Sequence, residues 1–380
     1  MNSILKDLNS IEGYVFPFEG EKHWATIVIV PYRKDTWRDN ALPAIEEYLE
    51  VVKQISLYER VIVIIDPRID YKIVRRFQME NTHILRLPYD DAWARDSLPV
   101  FLKNDIEKRL CGVDFGFNAW GGEYNGLYHP YTDDNALGKR TLLELMIHRY
   151  GKKDFILEGG SIHSDGEGTL LVTEECLLSK GRNPTLTKEE IEKNLKDSLN
   201  IKKVLWLPYG IYQDETDGHV DNICCFLKPG VLALAWMDDK DDPQYERCLK
   251  NYEYLSSVTD SEGRKLEIIR LPLPKVMYMT KEEASGLENG ASAIQRNEGR
   301  RLAGSYVNFY MGEKFIILPK FGTEEDKICE AILKEFYHGE KEFLPVSSRQ
   351  ILLGVGNIHC ITKQIPYMEH YPLEPEDEDL

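Results

Sequence analysis

The chain has 380 residues, 42% hydrophobic and 29% charged, the make-up of a globular protein with ample core. Its 64 acidic against 47 basic residues give a net charge of −17, which argues against a nucleic-acid partner and is compatible with a small cationic ligand. No apolar stretch approaches the roughly 20 residues needed to span a bilayer.

The opening MNSILKDLNSIEG lacks a basic start followed by an apolar run, so no signal peptide is expected. Apolar, β-branched runs predict strands at 25–30 (ATIVIV), 60–65, 169–172, 203–207, 230–236 (GVLALAW) and 314–318. Helical periodicity falls between some of them, at 41–55, 139–150, 188–199 and 326–337. The alternation predicts an α/β fold, and with no Gly/Ser- or Pro-rich linker the chain reads as one domain over 1–380. Its acidic end, residues 373–380, is expected to be a frayed tail. Seven cysteines with no CxxC spacing fit reduced thiols, and hence the cytosol, better than a disulfide or zinc framework.

A weak internal repeat runs through these elements. WARDSLPVFL, ILEGGSIHS, DGHVDNICCFL, SYVNFYM and VGNIHCITK each set a polar or reactive residue in an apolar, strand-like context. The marked residues are Asp96, Glu158, His219, Asn308 and Cys360, at intervals of 62, 61, 89 and 52 residues. Units of this size suggest a repeated or propeller-like architecture whose polar positions meet on one axis.

Cys360 stands apart from the other cysteines because it lies in GVGNIHC, where glycines allow close approach of backbone to a ligand. Its neighbour His359 need not be its partner, since adjacent residues of a strand point to opposite faces. On a strand, His219 and Asp221 of DGHVDN share one face and could line one site. A loop His–Asp hydrogen bond or a metal pair remains open there, although no HExxH or equivalent supplies further metal ligands. Asp96 follows Arg95 and could be a surface ion pair, while nearby Trp93 offers a flat face for a planar cation. Glu158 precedes two glycines.

Together these segments form a recognisable set. WARD around Asp96, FGFNAWGG around Trp120, LEGGSIHSDGEGT, TDGHVDN, RRLAGSYVNFY and GNIHC resemble, in order, the agmatine deiminases. That family lies within the guanidine-modifying (pentein) superfamily of arginine and peptidyl-arginine deiminases. The sequence departs from the pattern at Gly20, Lys22 and Leu98.

The resemblance implies a five-bladed α/β propeller of ββαβ-type units. It also implies Cys360 as nucleophile, His219 as general acid/base, Glu158 as its orienting carboxylate, and Asp96 and Asp221 as the grip on the guanidinium. Trp93 and Trp120 are expected at the substrate, and acidic Glu215, with Asp214 beside it, toward its amine. The expected reaction is agmatine to N-carbamoylputrescine and ammonia without cofactor or metal; deimination of free or peptidyl arginine is the alternative. A non-catalytic binding role is disfavoured by the complete residue set, and a homo-oligomer is possible.

Overall fold

The computed structural model describes residues 7–288, 293–369 and 371, so the acidic end lies outside the described residues. The six expected strands form as His23–Ile29, Arg60–Ile64, Thr169–Thr173, Lys203–Leu207, Val231–Trp236 and Phe315–Lys320. Five are inner strands of their sheets, with hydrogen-bonded neighbours on both sides and side chains buried on both faces. That explains why they read as unbroken apolar runs rather than as alternation. Glu267–Pro272 and Glu342–Ser347 escaped the pattern because they are half-exposed outer strands.

Three expected helices form as Leu42–Ser56, Lys188–Leu199 and Glu325–Tyr337. The second begins in a capping box, with Thr187 accepting from Glu190 N–H and Glu190 reaching back to the Thr187 N–H. It ends at Asn200 in the left-handed conformation. The fourth expectation, a helix at 139–150, needs correction. The helix is Thr132–Glu144, Met146 turns at φ 56°, and His148–Ile156 is a strand. Ile147 continues the apolar spacing of the helix but belongs to the chain entering that strand. A further helix, Pro243–Ser257, is capped by Asp242 accepting from Gln244 N–H.

Five sheets repeat one pattern: a first strand antiparallel to the second, then a helix, then a third strand parallel to the second. Val100–Asn104, Arg109–Gly116 and His148–Ile156 form one such sheet. His163–Ser164, Thr169–Thr173 and Lys203–Leu207 form the next. Cys224–Lys228, Val231–Trp236 and Glu267–Pro272 follow, then Tyr310–Met311, Phe315–Lys320 and Glu342–Ser347. In the fifth, Thr362–Pro366 from the C-terminal part pairs antiparallel with His23–Ile29 from the N-terminal part. Arg60–Ile64 and Thr82–Leu85 extend that sheet in parallel. A short two-stranded sheet, Met277–Tyr278 with Arg301–Leu302, stands apart from the five.

The repeat fixes where chemistry can sit. Asp96, Glu158, His219, Asn308 and Cys360 each lie just ahead of the first strand of their sheet. All five are buried. Among the described residues, no helix is long and apolar enough to cross a membrane.

Candidate active site

Short turns, not strands, carry the buried polar cluster. Asp96 sits in the single helical turn Ala94–Ser97. Its Oδ1 accepts from Gly160 N–H at 2.8 Å and its Oδ2 from Trp120 Nε1–H at 3.0 Å. Glu158 stands at the head of the turn Gly159–Ser161, and His219 at the head of the turn Val220–Asn222. The expectation that His219 and Asp221 share a strand face is therefore wrong in its premise: a tight turn brings both inward.

Gly160 is where the cluster closes. A β-carbon there would lie 2.5 Å from His219 Nδ1, 2.9 Å from Asp221 Oδ2 and 3.0 Å from Asp96 Oδ1. Only a residue without a side chain fits at that junction. Cys360 Sγ is 3.6 Å from Asp221 Oδ2 and 3.4 Å from Asn308 Oδ1. Asn308 Oδ1 also accepts the backbone N–H of His359 at 3.1 Å and of Cys360 at 3.4 Å.

The electrostatics follow from burial and these neighbours. Burial pushes the Cys360 thiol well above its usual range, and Asp221 and Asp96 push it further. Burial also raises Asp96; His219 opposes that shift, while Asp221 and Glu158 add to it. Glu158 runs the other way: burial opposes ionisation, but Arg182 and then His219 outweigh it and hold the carboxyl at about 2. Arg182 Nε lies 2.9 Å from Glu158 Oε1, both side chains fully enclosed. His219 is raised well above its usual value because Asp96, Cys176 and Glu158 together overcome the cost of burying a cation. Its Nδ1 is 4.0 Å from Asp96 Oδ2 and its Nε2 is 3.8 Å from Glu158 Oε2, ion-pair distances longer than a hydrogen bond.

Two tryptophans wall the cluster. Trp93 donates Nε1–H to Asp91 at 3.0 Å and stacks on Trp37. Gly356 passes between Trp93 and Cys360, where a β-carbon would lie 2.2 Å from the indole. Trp120 packs edge-on against Trp93.

The acidic pair expected at the far end of a substrate is already engaged. Glu215 is buried between Arg296 at 3.0 Å and Arg300 at 2.6 Å. Asp214 accepts from Thr216 N–H two residues on and from Nδ2–H of Asn222 in the turn Val220–Asn222. The arginines that might have met a carboxylate are engaged as well: Arg182 by Glu158 and Asp217, and Arg95 by Glu19 at 2.8 Å. Among the described residues, two groups hold enough donor atoms for an ion, Glu158–Cys176–His219 and Glu19–His163–His359. In each, an arginine already supplies the positive charge to the carboxylate.

Sequence reasoning missed Arg182 as the partner of Glu158 and His359 as the partner of Asp221, whose Oδ2 lies 2.8 Å from His359 Nδ1. The only local signal was the position of His359 beside Cys360.

The model of the Porphyromonas-type peptidyl-arginine deiminase family matches residues 15–366. An agmatine deiminase of Pseudomonas aeruginosa is 44% identical over 356 residues, 93% of this chain and 96% of that one. The chain belongs to the agmatine deiminases of this family. Among solved structures, the Enterococcus faecalis agmatine deiminase superposes with a TM-score of 0.91 at 36% identity, covering 96% of this chain and 99% of that one. A Cys-to-Ser variant of the C. jejuni agmatine deiminase with substrate bound gives 0.80 at 27% identity, covering 96% and 99%. As in other agmatine deiminases of known structure, the fold is mixed α/β.

Proposed function

We propose that the chain hydrolyses agmatine to N-carbamoylputrescine and ammonia through a covalent intermediate on Cys360. The observation that carries this reading is the convergence of Asp96 and Asp221 on the glycine junction at Gly160, with the Cys360 thiol beside Asp221. A guanidinium is planar with paired N–H donors, and two carboxylates can each meet it with two hydrogen bonds. The Pseudomonas and Enterococcus relatives bearing the agmatine deiminase name support the substrate. The engagement of Arg95 and Arg182 speaks against a carboxylate-bearing arginine.

Binding and activation are coupled in this reading. Two anions beside Cys360 disfavour its thiolate, and a guanidinium between them reverses the sign of the local field. The thiol then loses its proton to solvent, and the sulfur attacks the guanidinium carbon. His219, protonated and flanked by Asp96 and Glu158, donates a proton to the leaving nitrogen as the C–N bond breaks and ammonia departs. The resulting S-alkylthiouronium is attacked by water, whose proton returns to His219. The C–S bond breaks and the thiolate is restored. The cationic adduct calls for carboxylates rather than an oxyanion hole.

We further propose that the five sheets stand as blades of one propeller forming a single domain. Its closure would come through the pairing of Thr362–Pro366 with His23–Ile29, as a repeat of first strands around a common axis would require. Its seven cysteines, free and buried, fit a reducing setting, and we place it in the cytosol on that ground. The test is a side-by-side assay of ureido product and ammonia from agmatine, arginine and a blocked arginine peptide. Product from agmatine far above the other two is expected; arginine turnover equal to or above agmatine turnover would refute the substrate assignment.

A further inference from the structure

Behind the guanidine site lies a second buried layer that the reaction steps do not use. His359 precedes Cys360, and its ring lies between two carboxylates, one of them the Asp221 that also meets the thiol. Its Nδ1 is 2.8 Å from Asp221 Oδ2 and its Nε2 is 2.9 Å from Glu19 Oε2. Glu19 in turn receives Arg95 Nη1–H at 2.8 Å, and its Oε2 lies 3.5 Å from His163 Nε2. Glu19 lies on the segment ahead of the first strand, about as far from Cys360 in sequence as this chain allows, yet one residue connects them.

We propose that Glu19, His359 and Asp221 form a buried relay that keeps one of the two guanidinium-gripping carboxylates ionised and aimed, making Glu19 and His359 positioning residues. The proposal rests on the guanidine-hydrolase reading and extends it to groups that never touch the substrate.

Geometry gives the first reason. Asp221 has one oxygen, Oδ1, with no hydrogen-bond partner, while Oδ2 is fixed by His359. A carboxylate held through one oxygen presents the other in a defined direction. His359 cannot drift, because Glu19 holds its far nitrogen and Asn308 holds its backbone. His359 and Cys360 are neighbours in the turn ahead of Thr362–Pro366, and both backbone N–H groups point to Asn308 Oδ1, which couples this anchor to the nucleophile: displacing one displaces the other.

Charge gives the second reason. A fully enclosed carboxylate ordinarily becomes neutral. Around Asp221 stand His359, His219 and Arg95 as cations, with Asp96 as a like charge and Cys360 as the adjacent thiol. Burial opposes ionisation of Asp221, but the His359 hydrogen bond and charge outweigh it and hold the carboxyl below its usual range. Asp96, which lacks such a partner, is raised. His359 is opposed by burial and Arg95 and held protonated by Glu19 and Asp221. Remove either end and the cation in the middle is less secure.

The decisive variants are His359→Gln, which can keep a hydrogen bond to Asp221 but not the charge, and Glu19→Gln. For each, kcat and KM for agmatine are measured from pH 3.5 to 9 beside a thermal melt, a range that reaches the acid side of a carboxyl held below its usual value. The pH dependence of Cys360 alkylation by a small haloamidine is followed in parallel. The sign follows from the linkage: losing the imidazolium raises the Asp221 pKa, so the acid limb of kcat/KM moves to higher pH. A displacement of about one unit is expected for His359→Gln, with up to roughly a tenfold rise in KM at the acid end of the range and a smaller change in kcat, and a lesser displacement for Glu19→Gln. The alkylation limb should move with it, since the haloamidine needs the same grip. An unmoved acid limb, with losses that only track the melting temperature, would overturn the relay. Should His359→Gln fail to fold, the limb of Glu19→Gln decides by itself. If the wild type released no ureido product from agmatine or arginine, the function reading would fail, and the alkylation limb would still decide the relay.

Discussion

The Cys360 thiol is buried beside Asp221 and Asp96, so it stays protonated until a cation arrives. Cys360→Ser should therefore abolish ureido formation while leaving the melting temperature close to wild type, because a serine hydroxyl is far harder to ionise in the same field. Activity within tenfold of wild type would sink the covalent route. His219→Ala should lower kcat by ~10²-fold or more, the usual contribution of a positioned acid–base group. Glu158→Gln carries a second consequence, because it removes the anion 2.9 Å from buried Arg182 and leaves only Asp217 beside it. Leaving a buried charge unpaired costs about 3–5 kcal/mol and Asp217 offsets part of that, so both the melt and the rate should fall. A change in rate alone, with an unaltered melt, would restrict Glu158 to the chemistry.

Elements decide which of these residues can meet, and here the limits of the sequence are physical. Asp96, Glu158, His219 and Cys360 could be picked out because each stands in a local motif just ahead of a strand. Inner strands such as Val231–Trp236 were legible because burial on both faces leaves a continuous apolar signal. The outer strand Glu342–Ser347 was not, since half its side chains meet water. No local pattern could tell that Glu158 needs Arg182, or that His359 joins Asp221 to Glu19, because those partners lie far off in sequence: Arg182 arrives in the crossover between Thr169–Thr173 and Lys203–Leu207, and Glu19 ahead of the first strand. The same blindness made Glu215 look available when Arg296 and Arg300 enclose it. Gly160 is the element-level feature most open to test. Gly160→Ala would place a methyl group 2.5 Å from His219 Nδ1, and the neighbours are fixed by backbone turns. A fall in kcat/KM of about a hundredfold or more is expected, with circular dichroism unchanged; wild-type kinetics would mean the junction is looser than its distances imply.

At the scale of the whole molecule, the question is how a chain of charge −17 chooses among guanidines. The grip proposed for Asp96 and Asp221 would be common to agmatine and arginine and could not discriminate, so the choice must lie in the arginine carboxylate. That carboxylate would enter a pocket already holding Asp96, Asp221 and Glu158, with Arg182 and Arg95 engaged elsewhere. Specificity often rests on such an unanswered charge rather than on added attraction. At an effective dielectric of about 20, like charges roughly 6 Å apart repel by about 3 kcal/mol, on the order of a hundredfold in kcat/KM. Agmatine should therefore exceed arginine by about that factor in one buffer. Because the site is buried, salt should erode the ratio only modestly, whereas a preference set by the acidic surface would collapse as ionic strength rises past the range where exposed charges are screened. Measuring kcat/KM for both substrates at low and high salt separates the two origins: a ratio that persists places the choice in the pocket, and equal values at both salt concentrations would leave guanidine hydrolysis standing without a preference for the amine.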